Sequence, residues 1–371
     1  AGSRQSHGHA PSVRSQGWKF MTLRPVLVGL LLVAVGAARG EVYRFEVPSD
    51  DRWHYPFNFN AGARPTASCF GSTGDPNFTT FNDRDGIFLI AWRTETSVPS
   101  GLPPKSYDVQ AVRVTLTHMG ATPASTPSWP IDLTPDEWFT MDYPIMDADP
   151  GQPLELFGVG FGPGYTSTSW KEDSPYTGAD DQTATPRDPF PFVYQGTTST
   201  KVHVEDNVKD AFTPQPWAIG VPVGYTPGHQ ATPFPVNFDV NLSLSGGRTR
   251  EYFQEQLAAG RVFAAVTSLQ VTSMFAETGY PTFFTKEGAP LSPGGKAPLI
   301  ALTLVPTGDV NGNSRRDLVD SGSMEQCLNG PDLLPLAPSP LSTEKCLFLF
   351  DFDEDGDVDV EDYGTFARRF T

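Results

Sequence analysis

Apolar and polar residues alternate along Val42–Val47 and again along Val109–Thr117, the period-two pattern of strands with one buried face. Ile87-Phe-Leu-Ile-Ala-Trp92 is continuously apolar instead, as a strand covered on both faces would be. Leu154–Phe161, Val236–Leu244 and Val262–Val271 read as further strands, rich in β-branched and aromatic residues. Only Arg250–Ala259 carries a helical pattern before the C-terminal region, with Thr249 placed as N-cap and Gly260 as the stop. No strand–helix–strand rhythm is visible. The expected fold class is therefore mainly β, a jelly-roll-like β-sandwich with long loops over residues 41–306. Residues 120–235, dense in Pro, Gly, Thr and Asp, supply most of those loops.

Composition narrows the setting. The chain of 371 residues carries a formal charge of −17, which argues against nucleic acid or an anionic membrane as partner. From Met21 a short basic stretch leads into the apolar run Val26–Val35 and the small-residue exit Ala37–Gly40. That is the order of parts in a secretory signal peptide, with cleavage after Ala37 or Gly40 and Ala1–Phe20 as upstream sequence. The alternative, an uncleaved anchor, has to span with about half the roughly twenty apolar residues a bilayer needs. The expected location is secreted or cell-surface, with no membrane span in the mature chain.

The strongest local signal lies near the C-terminus, in Asp351-Phe-Asp-Glu-Asp-Gly-Asp-Val-Asp-Val-Glu-Asp362. Counted as a twelve-residue loop, Asp351, Asp353, Asp355, Asp359 and Asp362 take positions 1, 3, 5, 9 and 12, as in the calcium loop of an EF-hand. Alternate residues of a tight loop can all turn oxygens inward, and a hard dication wants six to eight of them. Asp357 at position 7 is expected to give its backbone carbonyl, and Gly356 at position 6 to allow the sharp turn. A looser copy precedes it, with Asp309, Asn311, Asn313, Asp317 and Asp320 at the same five positions and Arg315 at position 7. Three carboxylates and two amides replace five carboxylates, so two calcium sites are expected, the second the stronger. The alternative for both is an acidic, solvated, turn-rich tail.

Each loop is followed by a helix-like run, Ser321–Leu328 and Tyr363–Phe370. The pair, with the opening Asp309-Val-Asn-Gly312, resembles the type I dockerin module over residues 307–371. The resemblance implies a small helical calcium-binding domain that docks onto a cohesin through positions 10 and 11 of each loop. Here those positions hold Leu318, Val319, Val360 and Glu361, outside the small or hydroxyl set common in that family. The proline-rich linker Asn329–Pro340 is not expected to be helical. It is flanked by Cys327 and Cys346, either a disulfide, favoured in an exported chain, or a buried free pair; Cys69 is then left over.

The body also resembles, more weakly, the DNRLRE family of secreted β-sandwich modules. The matching pieces are Phe88-Leu-Ile-Ala-Trp92, Val98-Pro-Ser-Gly101, Val109–Thr117, Phe284-Thr-Lys-Glu287 and Pro298-Leu-Ile-Ala-Leu-Thr303. That likeness implies a module whose relatives include binders of acidic polysaccharides.

Catalytic motifs are missing from the sequence. There is no Gly-x-Ser-x-Gly elbow or His-Glu-x-x-His helix, and His54, His118, His203 and His229 have no metal-ligand spacing. Asp136, Glu137, Asp142, Asp147 and Asp149 read as solvated loop acids, and Asp83 with Asp85 as at most a small extra cation loop. Trp53, Tyr55, Phe57 and Phe59, with Trp129, Trp138, Tyr143, Tyr165 and Trp170, are either core or stacking platforms for sugar rings. The function expected is a secreted, calcium-binding, non-catalytic β-sandwich that binds polysaccharide or cell-surface material, carrying a docking tail for a cohesin-like or other surface protein. A polysaccharide-degrading enzyme component and a structural cell-surface component are the alternatives.

Overall fold

Strand Glu41–Phe45 (β1) comes first among the described residues, followed by Asp50–His54 (β2), Ile87–Arg93 (β3), Asp108–His118 (β4), Glu155–Gly160 (β5), Ala218–Pro222 (β6), Phe234–Asp239 (β7), Arg261–Thr267 (β8) and Leu299–Val305 (β9). They form one antiparallel path in the order β1-β9-β4-β7-β6-β5-β8-β3-β2. Four short strands on its flanks bring the sheet to 13 among the described residues. This computed structural model describes residues 40–56, 58, 60, 62–71, 85–120, 131–134, 152–176, 187–207, 210, 212–224, 232–268, 281–337 and 340–371. The signal-like segment up to residue 39 lies outside them, as do Asp83, the acids between 136 and 149, Phe57, Phe59, Trp129, Trp138, Tyr143 and His229. No helix among the described residues is long and apolar enough to cross a membrane.

The protein is mainly β, with short helices gathered at the C-terminus. The sheet curls so that its two halves share one core. Val112, Val114 and Leu116 of β4, Val236 and Phe238 of β7, and Ile300 and Leu302 of β9 pack in the same cluster as Phe88, Ile90 and Trp92 of β3 and Val262 and Val266 of β8. The Trp92 indole N–H reaches across to donate to Pro298 O at 3.2 Å. Alternation in β4 follows from this: valines point inward, while Arg113 outside pairs with exposed Asp239 on β7 at 2.6 Å.

The continuous apolar run of β3 has its own cause. Ile87, Leu89 and Ala91 face away from the main core and form a second layer with Val159, Phe263 and Ala265. Residues 161–176 cover that layer, setting Trp170 into it with no exposure. Part of the region read as decoration is thus a packed cover. Arg261 is buried beneath it, donating to Ser167 O and Trp170 O and pairing with Asp50 on β2.

Helix α1, Arg248–Ala258, starts two residues earlier than its sequence pattern indicated. Its N-cap is Gly247 (φ 93°), after the tight turn Leu244–Gly247, and Thr249 is buried within the first turn. Tyr252, Phe253 and Leu257 anchor it, with the Tyr252 hydroxyl donating to Phe263 O at 3.1 Å. Gly260 (φ 75°) follows the helix end, as the stop required.

Beyond residue 307 come α2 (Leu318–Cys327), α3 (Thr343–Phe350) and α4 (Val360–Arg368). Helix α3 was not foreseen; its signals are Ser342, which caps it by accepting from Lys345 N, and the apolar run Leu347–Phe350. Cys327 and Cys346 are disulfide-bonded, Cα–Cα 5.7 Å, joining α2 to α3, and Cys69 is a buried free thiol. The region from residue 38 onward is one compact unit. Leu349, Phe350, Phe352 and Phe366 belong to the same apolar cluster as the strands, and the Phe348 ring meets Tyr107 at 5.5 Å. The Ser106 hydroxyl donates to Asp309 O at 2.6 Å, fixing the start of the first acidic loop to the body. The shared core couples the stabilities of body and tail.

Candidate metal centres

The two acidic loops fold by the same internal hydrogen bonds, position for position. The position 1 carboxylate accepts from the backbone N–H groups of positions 5 and 6. Asp309 takes Asn313 N at 3.1 Å and Ser314 N at 2.7 Å, and Asp351 takes Asp355 N at 3.2 Å and Gly356 N at 3.0 Å. The position 12 carboxylate accepts from positions 2 and 9. Asp320 takes Val310 N at 2.9 Å and Asp317 N at 3.0 Å, and Asp362 takes Phe352 N at 2.6 Å and Asp359 N at 3.0 Å. Position 9 caps the following helix: Asp317 accepts from Val319 N at 2.8 Å and Asp359 from Glu361 N at 2.7 Å, each in a reciprocal capping box.

The helices are set reciprocally as well. Thr371 N, beyond α4, donates to Arg316 O at position 8 of the first loop; Asn329 N, beyond α2, donates to Val358 O at position 8 of the second. Arg316 at position 8 is half-buried and donates through Nε to Thr307 O.

In the second loop Asp351, Asp353 and Asp355 bring oxygens within 4.8 Å of one another, and Asp357, Asp359 and Asp362 form another such group. All donors are hard oxygens, so both groups can hold a hard cation. The Asp357 side chain is itself buried: Oδ2 accepts from the linker's Asp332 N at 2.5 Å, and Oδ1 is buried with no hydrogen-bond partner. Sequence reasoning assigned only its carbonyl. Burial pushes Asp362 up to about 7, with Asp353 and Asp351 adding to the rise through like charge, and pushes Asp351 up to about 6.

The first loop is less charged. Asn313 accepts through Oδ1 from Arg315 N at 2.8 Å and donates through Nδ2 to Asp317 Oδ2 at 3.0 Å. The bond from Asn313, then the one from Val319 N, holds Asp317 below the usual carboxylate range. Ser314 takes the left-handed conformation at position 6 (φ 64°), where the second loop has Gly356 (φ 94°). Relief of that strain, about 1–2 kcal/mol, outweighs the extra unfolded-state freedom of glycine, about 0.4–1 kcal/mol. Ser314→Gly should therefore stabilise the protein by up to about 1 kcal/mol, read as a higher urea midpoint with an unchanged m-value. A lowered midpoint would contradict it.

Among the described residues, several others singled out in the sequence have structural employment. Asp85 is buried in an ion pair with Arg187, which also pairs with Glu205 at 2.6 Å. Trp53 stacks on Tyr55 at 4.6 Å, and Trp170 is core, so neither Tyr55 nor Trp170 offers a platform. Two features had no signature in the sequence. Asp51, Glu172 and Glu287 converge within 4.8 Å from three distant segments. A cavity of about 670 Å³ opens beside Tyr194 and Trp217, whose rings lie nearly parallel at 6.2 Å, with Gln195, Thr197, Gln215 and Ser245 on its rim. Compared with known proteins, the chain matches no family model and no curated sequence.

Proposed function

We propose that this is an exported calcium-binding protein, a non-catalytic β-sandwich body joined to a paired-loop, dockerin-like tail that calcium holds folded. The observation that carries the reading is the repetition in both loops of one hydrogen-bond pattern at positions 1, 9 and 12, together with the gathered carboxylates of the second loop. Five carboxylates against three make the second loop the tighter site. Leu318, Val319 and Val360 at the helix starts are 80%, 61% and 75% exposed, the positions at which a cohesin-like or other surface docking protein would meet the tail. For the body, the cavity beside Tyr194 and Trp217 supports saccharide binding. The half-buried Tyr194 ring there adjoins uncharged amides and hydroxyls, and among the described residues the lining carries no carboxylate.

Calorimetric titration of the calcium-stripped full chain tests the first half. Two tail events of unequal affinity are expected, the tighter lost in Asp353→Asn and the weaker strengthened in Asn313→Asp. Titrations insensitive to both changes would refute calcium binding by the loops. Retardation of the wild type, but not of Gln195→Ala/Gln215→Ala, in gels containing neutral polysaccharide tests the second half; equal mobility would remove the saccharide reading.

A further inference from the structure

We propose that Asp51, Glu172 and Glu287 form a third divalent-cation site, on the body and separate from the tail loops, taking calcium or another oxygen-preferring cation of similar size. The three come from β2, from the segment 161–176 that covers the second apolar layer, and from the turn after strand Thr282–Phe284. One oxygen of each lies within 4.8 Å of the others.

Proximity of acids alone would mean little, but here the partners can be counted. Asp51 is 1% exposed; its Oδ2 accepts from Lys286 N at 2.8 Å, while its Oδ1 is buried with no hydrogen-bond partner. Glu287 Oε2 is likewise buried without a partner. Glu172 Oε2 accepts from Asp51 N at 3.1 Å and from the Lys286 ammonium. That ammonium also donates to Ser49 O at 2.9 Å and stands 3.7 Å from Glu287 Oε1. Neighbouring Asp50 is engaged with Arg261 and takes no part.

One lysine thus faces three carboxylates. Fully ionised, the group keeps two negative charges and two orphaned buried oxygens, and buried charge left unpaired is strongly disfavoured. A single dication held by one oxygen of each carboxylate supplies the missing charge. The donors are all carboxylate oxygens, which select calcium-like ions over thiophilic or imidazole-preferring ones. Glu172 and Glu287 side chains are 22% and 27% exposed, so water can reach the site and complete the coordination shell. A cation there would tie the covering segment to β2 and to the 286–287 turn.

The full chain, stripped of metal and dialysed against calcium, decides the matter by stoichiometry. This site does not depend on the tail reading. Glu287→Gln, isosteric and partly exposed, should bind one calcium fewer than the wild type with an unchanged circular dichroism spectrum, and Asp51→Asn should match it. An Asp309→Ala/Asp351→Ala double variant should keep one calcium; if the loops bind nothing, the wild type itself binds one and Glu287→Gln none. In crystals soaked with terbium, an anomalous peak is expected among the three carboxylates. Unchanged stoichiometry in Glu287→Gln, or terbium peaks confined to the tail, would overturn the proposal.

Discussion

On the proposed calcium reading, Asp362→Ala is expected to remove the calcium-dependent stabilisation contributed by the second loop and to lower the melting temperature of body and tail together. Asp362 is 1% exposed and carries two backbone bonds, from Phe352 N and Asp359 N, while completing the capping box of α4. The bond from Asp359 N is itself the return half of that capping box, and each bond to a charged acceptor is worth about 1.5–3 kcal/mol. Some of that is offset, because burial already holds the carboxyl up to about 7. A net loss of about 3 kcal/mol without calcium is therefore expected. With calcium a thousandfold above its dissociation constant, the wild type gains about 4 kcal/mol more from that loop, which the variant forgoes. Thermal unfolding in calcium and in chelator measures both parts. Because Phe350 and Phe366 sit in the strand core, a single transition should move. A variant that keeps the wild-type calcium shift, or a body transition that stays in place, would contradict this account.

The second large effect lies far from the tail. Arg187 is 2% exposed, between Asp85 and Glu205, and its guanidinium lies over the Tyr176 ring at 5.3 Å. Arg187→Met keeps much of the volume but strands two carboxylates in the interior. Breaking a buried ion pair by removing one partner costs about 3–5 kcal/mol, a large share of the 5–15 kcal/mol that holds a typical domain together. The triple change Arg187→Met/Asp85→Asn/Glu205→Gln should recover part of the loss, since the stranded charges go with it. Urea unfolding of the two variants gives the answer; equal stability of wild type and Arg187→Met would show that the triad is dispensable.

How much of this was legible beforehand depended on whether the information was local. The period-two run of β4 and the solid apolar run of β3 identified strands because their patterns report burial, β3 being covered on both faces; β1 is a strand too, but Val42 and Val47 of its run are exposed. Tandem loop spacing picked out acids that gather in two groups in the second loop, because they lie within twelve positions of one another. Helix α3 was hidden because the prolines before it dominated the reading of the linker. The convergence of Asp51 with Glu172 and Glu287, 121 and more residues away, has no local trace at all. Nor could sequence distinguish Trp170 as a core residue from an exposed platform, because its burial depends on which sheet face the covering segment closes.

The pairing of Glu41 with Leu304 at the edge of the sheet sets how the body would carry a pull. The chain enters the sheet at β1 and leaves it from β9, and these two ends are immediate neighbours on antiparallel strands. Tension applied between residue 40 and the tail therefore peels β1 from β9 one backbone bond at a time instead of shearing the row at once. The remaining strands hang beside the line of force and bear none of it until that seam has opened. With the tail gripping the body through Ser106 and Tyr107, the first resistance to extension belongs to that junction, and the β1–β9 seam yields next.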